Sequence, residues 1–282
     1  LDLLKKLDEN EVYEKLLERC GVNEAGELNK IQVNEKKEIS DYLVCYLSSI
    51  SNGPKAKDIS ENLTNLRYFS NPPFNLDGLA NFTNLTKLFL YGKSLNLYVL
   101  ANLNNLTELK LSGCESLNNA DGLAKLPKLA NLTLSTAYLT NVDDLANLTN
   151  ITNLELDYCP SLNNLDGLAN LTNLTKLSLY NCHSLTNLDG LAYLKNLTTL
   201  NLSNCEQLSK IDALANLTNL AELDLTGCQS LTNVDGLANL TNLTKLSLYN
   251  CESLTNINGL ANLTKIKQLD LYNCASITTL DA

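Results

Sequence analysis

The reactive side chains of this sequence fall into columns rather than clusters. Cys114, Cys159, Cys182, Cys205, Cys228, Cys251 and Cys274 recur at near-constant spacing, with Ala137 filling their column in the shortened fourth copy and Cys20 and Cys45 upstream. Thiols in such number suggest metal ligation, disulfides or nucleophilic attack. Zinc needs ligands that converge as a tetrahedron, and a row does not converge. Neighbouring rungs of a stack stand about 4.8 Å apart. That spacing would permit a disulfide, but parallel side chains in one column have poor dihedral geometry for it. The expectation is a column of buried free thiols, because cysteine is among the residues most often buried. Free thiols favour a reducing, cytoplasmic compartment.

The only histidine, His183, follows Cys182. A Cys–His nucleophile needs both side chains within hydrogen-bond reach, yet here one should point inward and the other outward. No Gly-rich phosphate loop and no Ser-His-Asp arrangement can be assembled. The scattered carboxylate pairs suit the surface of an acidic protein. Neither an enzyme nor a bound cofactor or metal is expected. The stretch Gly21 to Leu28 resembles a decayed calcium loop, with Gly21, Ala25 and Gln32 at ligand positions. Such a loop needs carboxylates there, so a helical cap is the simpler reading.

These columns come from a repeated unit, LTKLSLYNCHSLTNLDGLAYLKN in the copy beginning at Leu174. Copies begin at Leu66, Leu85, Leu106, Leu129, Ile151, Leu174, Leu197, Leu220, Leu243 and Ile266, spaced 19, 21, 23 and 22 residues apart and then 23. A fixed period of this size signals a stacked array, in which each unit buries its apolar side against its neighbours. Within the copy, Leu174, Leu177 and Leu179 end in the two-residue alternation of a strand. Leu185, Leu188, Leu191 and Leu194 lie three apart, which suits tight 3-10 turns. The Asp189-Gly190 pair recurs at Asp77-Gly78, Asp121-Gly122, Asp166-Gly167 and Asp235-Gly236. There the aspartate is expected to cap the following turn.

Residues 1–62 depart from the repeat. Apolar residues between Leu3 and Leu17 and between Ile39 and Ile50 follow helical spacing, which predicts a small N-terminal helical cap. Residues 63–282 form the second region, about ten repeats with no cap after the last.

The pattern Leu-x-x-Leu-x-Leu-x-x-Cys-x-x-Leu resembles the leucine-rich repeat. The 22–23-residue length and the string LTNLDGLANLTNLTKLSL resemble its bacterial internalin-type subclass, with Cys where that family carries Asn. The resemblance implies an α/β solenoid: an arc with a concave parallel sheet, convex turns and 3-10 segments. It also implies a protein ligand, such as one of a host, and a secreted or cell-surface location.

Function should sit on the strand residues that are not leucine. Tyr91, Tyr158, Tyr180, Tyr249 and Tyr272 are aromatic candidates on the concave face, and tyrosine is a preferred interface anchor. Glu155, Asp157, Glu222, Asp224 and Asp270 give that face an acidic bias, and Lys176 and Lys245 accompany two of the tyrosines. The opposing reading is that a template was copied without selection for a ligand. The stretch from Lys176 to Cys182 does recur unchanged from Lys245 to Cys251.

Composition narrows the partner. The net charge is −10, from 31 acids against 21 bases. That balance argues against nucleic acid, whose recognition needs clustered Lys and Arg. It leaves a basic protein open. No apolar run approaches the ~20 residues of a membrane span. Asn-x-Ser/Thr sequons recur, mostly as Asn-Leu-Thr, a by-product of asparagine at turn positions. Three functions remain: a protein-interaction module, a targeting or scaffold region of a larger protein that stops at Ala282 part-way through a repeat, and a glycan binder using the tyrosines.

Overall fold

The computed structural model describes residues 64–278, apart from 70–78, 81, 93–96, 115–122 and 124. The predicted helical cap and the calcium-like loop lie outside these residues. Ten strands form one open parallel sheet in strict chain order. They are β1 (Asn65–Phe69), β2 (Lys87–Tyr91), β3 (Glu108–Ser112), β4 (Asn131–Ser135), β5 (Asn153–Glu155), β6 (Lys176–Ser178), β7 (Thr199–Asn201), β8 (Glu222–Asp224), β9 (Lys245–Ser247) and β10 (Gln268–Asp270). Parallel neighbours need a crossover. Here short turns supply it, several wound as 3-10 segments such as Asp189–Leu191 and Asp212–Asn216.

The leucine columns build the interior. Leu177, Leu185, Leu188, Leu191 and Leu194 are all buried, as are their counterparts in neighbouring copies, and they join one continuous cluster from Leu66 to Leu263. Each such side chain contributes on the order of 1.5–3 kcal/mol by leaving water. The stack is less well covered at β10, where Leu269 is 45% exposed and Ile266, Leu271 and Cys274 are only partly buried.

Three sequence expectations are corrected. First, Leu66 pairs in register with Leu88, not Leu85. The first copy therefore begins at Leu63, and its spacing is regular rather than 19 residues. Second, Asp166, Asp189 and Asp235 do not cap the turns they begin, which have no side-chain cap bond. Instead the asparagine two residues earlier accepts the aspartate N–H, as Asn164 Oδ1 does from Asp166 at 2.7 Å and Asn187 Oδ1 from Asp189 at 3.2 Å. The glycine is explained by crowding. A Cβ at Gly190 would stand 2.0 Å from the Leu165 carbonyl oxygen of the preceding copy, and one at Gly167 would stand 2.1 Å from that of Val142. Third, Ala137 does not fill the cysteine column in the fourth copy. Ala137 is exposed, whereas Thr136 is buried and donates its hydroxyl to the Cys114 carbonyl.

Candidate functional site

Two sets of side chains stitch consecutive copies together and leave little for chemistry. The thiols form the first. Cys182 Sγ donates to the Leu156 carbonyl at 3.1 Å, Cys205 to Leu179 at 3.3 Å, Cys228 to Leu202 at 3.3 Å and Cys251 to Leu225 at 3.2 Å. All seven described cysteines are free, and all but Cys274 are buried. Burial pushes the Cys205 and Cys251 thiols up to about 12 and Cys159 to about 11. These groups stay protonated, and a thiol without its thiolate is neither nucleophile nor metal ligand. Cys182 points inward, away from His183. The Nδ1 of that histidine is buried without a hydrogen bond and lies 3.5 Å from Glu206 Oε1. Among the described residues no group of three or more His, Cys, Asp or Glu is placed to hold a metal ion.

The second set is the sequon residues themselves. Asn173 Nδ2 donates to the Thr149 carbonyl at 2.9 Å, and Thr175 Oγ1 to that of Thr152 at 3.0 Å. Asn196 and Thr198 repeat the pair one copy later, at 2.8 and 3.0 Å. The Asn-Leu-Thr strings are thus structural rungs.

What remains is the solvent face of the sheet. Along β6 and the residue after it, Leu177 and Leu179 point in while Lys176 and Ser178 point out, followed by half-buried Tyr180. The next position is a backbone device. Tyr158, Asn181, Asn204, Gly227, Asn250 and Asn273 all have φ between 57° and 71°. The left-handed region is routine only for Gly, with Asn and Asp tolerated, and costs other residues roughly 1–2 kcal/mol. This Asn/Gly column therefore turns the chain inward toward each cysteine. Its Gly/Asn composition was the available signal. Tyr158 is the exception: an aromatic residue at φ 57°, 56% exposed.

The tyrosines form two pairs. Tyr158 meets Tyr180 edge to face with centroids 5.1 Å apart, and Tyr249 stacks on Tyr272 at 5.5 Å with 9° between the planes. Tyr91 is exposed on β2, remote in sequence order from both pairs. Between the pairs the same column holds Ser203 and Thr226, so the sheet brings the candidates together in two places and not as one patch. Sequence reasoning missed Tyr98, Tyr138 and Tyr193, which are exposed away from the strands; Tyr193 is the most open of the three at 66%. Tyr193 occupies a position held by Asn in neighbouring copies, and that departure was legible.

The acids have partial structural employment. Asp157 Oδ1 accepts the Ser178 hydroxyl at 2.6 Å and the Tyr180 N–H at 3.1 Å. Desolvation raises the Asp157 pKa above the ordinary carboxylate value, these two hydrogen bonds lower it, and the nearby Glu155 charge raises it further. Glu155 Oε2 accepts from Thr133 Oγ1 at 2.8 Å. Asp224 and Asp270 each accept the N–H two residues on, from Thr226 and Tyr272, at 2.9 Å. Glu222, Lys176 and Lys245 are exposed, and Lys245 lies in register with both Glu222 and Gln268.

Known proteins place this arrangement. Residues 195–239 match a family model described as leucine-rich repeats in two copies, and residues 142–212 match one described as Zer-1-like leucine-rich repeats. No curated protein sequence matches the chain. Among solved structures, it is similar to the internalin InlF of Listeria monocytogenes, with 23% identity, TM-score 0.62, and 81% of this chain and 74% of that one covered. It is also similar to internalin C2 of the same organism, with 23% identity, TM-score 0.51, and coverage of 79% and 89%. The leucine-rich repeat domain of the type III effector XopL matches with 22% identity, TM-score 0.59, and coverage of 87% and 94%. At this identity the likeness is one of fold. No helix among the described residues is long and apolar enough to cross a membrane.

Proposed function

We propose that this leucine-rich repeat solenoid, internalin-like in fold, is a protein-interaction module that takes its ligand on the solvent face of the sheet. The observation that carries the reading is the pairing of tyrosines there, exposed Tyr158 with half-buried Tyr180 and exposed Tyr249 with exposed Tyr272. Tyrosine offers a large face and a polar tip at low entropic cost, which is why it anchors interfaces. The interior thiols and asparagine rungs are already committed to holding copies together, so they do not compete for a role in binding. Glu155, Asp157, Glu222, Asp224 and Asp270, with Lys176, Lys245 and the separate Tyr91, complete the proposed face.

The test compares partner capture by the parent and by the double variant Tyr180→Ser/Tyr249→Ser, with Tyr193→Ser as a control away from the strands. Loss of one captured protein in the double variant, with retention in the control, is the expected result. Equal recovery by all three sinks the assignment. A glycan ligand is the second reading, favoured by the near-parallel Tyr249 and Tyr272 rings, which offer a flat platform to a sugar; a glycan array without hits removes it.

A further inference from the structure

Residue choice on the sheet face exceeds what the fold requires at two kinds of position. The left-handed position is filled by Asn or Gly in Asn181, Asn204, Gly227, Asn250 and Asn273, so Tyr158 is not needed there. The turn after the strand needs only an amide oxygen. Asn201 Oδ1 accepts the Ser203 N–H at 2.8 Å without a charge, and Asp224 Oδ1 makes the same bond to Thr226 with one. A strained aromatic residue and an unneeded negative charge on one face are features that backbone geometry does not explain.

The spacing of the platforms is set by the register. Tyr158 and Tyr180 belong to adjacent copies, as do Tyr249 and Tyr272. Between the pairs lie two copies whose side chains are short and satisfied by one another: Ser203 Oγ donates to Asn201 Oδ1 at 2.6 Å, and Thr226 Oγ1 and Ser247 Oγ are 2.8 Å apart. At about 4.8 Å per rung, the centres of the two pairs are four rungs, roughly 19 Å, apart. The floor between them has no apolar stripe to seat an amphipathic helix.

Charge selects the occupant. Along β5–β10 and the residues that follow each strand, the outward carboxylates are Glu155, Asp157, Glu222, Asp224 and Asp270, against Lys176 and Lys245. Among the described residues none of the five is in an ion pair within 4 Å. Asp157 and Asp224 bond through Oδ1 alone, which leaves Oδ2 for a ligand. A carboxylate beside an aromatic face suits guanidinium, which takes charge-assisted hydrogen bonds and a cation–π contact together.

We infer that the two tyrosine platforms and their carboxylates form a two-point site for a basic, extended polypeptide segment that crosses the strands. It presents one arginine to the Tyr158–Tyr180 pair and a second to the Tyr249–Tyr272 pair. An extended chain rises about 3.3 Å per residue, so ~19 Å corresponds to arginines at i and i+6, both on the same side of the segment. This rests on the sheet-face reading above and specifies the chemistry of its ligand.

The test uses the whole 282-residue chain and fluorescein-labelled synthetic peptides in a polar, helix-poor background, read by anisotropy. One peptide carries arginine at i and i+6, one at i and i+2, one a single arginine, and one glutamine at both sites. The i,i+6 peptide is expected to bind about tenfold or more tighter than the single-arginine peptide, through the linked second contact, and to weaken as salt rises. Tyr158→Asn and Asp224→Asn should each cost it about 3- to 10-fold. Both variants keep their backbone roles, since Asn fills each position in other copies, and circular dichroism verifies the fold. Equal affinity for the i,i+2 or glutamine peptides, or unchanged affinity in both variants, overturns the inference. If no peptide binds while partner capture still depends on Tyr180 and Tyr249, the basic-segment inference falls and the sheet-face reading stands.

Discussion

The first four strands and the last six share the same leucine columns but leave the sheet differently. Strands β1 to β4 run five residues each, and β5 to β10 run three. In the first group the position after the strand is irregular. Gly113 is left-handed, while Thr136 is not and is buried against the Cys114 carbonyl. In the second group six consecutive copies turn through the left-handed region and then point a cysteine inward, buried in all but the last. Polar acceptors accompany the change. The N–H groups of Ser203, Thr226 and Tyr272 are taken by Asn201, Asp224 and Asp270, and that of Tyr180 by Asp157. In β3 the corresponding residue is Lys110, which has no acceptor and lies 5.7 Å over the Phe89 ring. In β4 it is Thr133, which donates to Glu155. Side-chain acceptors compete with a ladder for backbone N–H groups. In β6, β7, β8 and β10 a polar side chain thus takes the N–H that would lengthen the ladder.

Substitutions can break or sharpen that contrast. The largest effect is expected in the regular group. Gly190→Ala would drive a Cβ into the Leu165 carbonyl and should cost about 3 kcal/mol in urea unfolding; a loss under about 1 kcal/mol would disprove the close-approach account. The same substitution at equivalent positions of the two groups should have opposite signs. Thr136→Asn exchanges a buried, bonded hydroxyl for a larger amide and should destabilise by about 2 kcal/mol. Tyr158→Asn relieves a left-handed aromatic residue and should stabilise by about 1 kcal/mol; shifts of the same sign would erase the distinction.

The smallest effect is a pH dependence. Because the Asp157 pKa is raised in the folded protein, the folded state binds the proton more tightly than the unfolded chain. Its contribution is fully present below the ordinary aspartate value and is lost as pH rises through the raised one. Asp157→Asn keeps an acceptor oxygen for Ser178 and Tyr180 without titrating. The variant should therefore gain on the parent as pH rises from about 4 toward neutrality. Parallel stability–pH curves would show that the carboxylate is solvated like any other.

Much of this molecule was legible as pattern. The leucine alternation around Leu177 and Leu179 located the strands, and the three-residue spacing from Leu185 to Leu194 located the turns. What stayed hidden depended on neighbours one copy away. Gly190 is explained by the Leu165 carbonyl, and Asn173 by the Thr149 carbonyl; neither partner is near in sequence. The first copy was misaligned because Leu66 and Leu85 are both leucines, and only pairing distinguishes the strand leucine from the one before it. On the sheet face, Tyr158 was recognised by its type. The backbone strain that sets it apart from Tyr180 has no signature within its own copy and emerges only when the Asn and Gly of other copies are seen to be left-handed.

The rungs between copies also have a direction. Cys182 Sγ, Asn173 Nδ2 and Thr175 Oγ1 all belong to the later copy, and all donate to carbonyls of the earlier one. A chain leaves the ribosome from its N-terminus, and completed portions fold first. Each new copy thus emerges carrying the donors that its predecessor's open carbonyls lack. Synthesis and assembly run the same way along this protein, so its newest end is always the unfinished one.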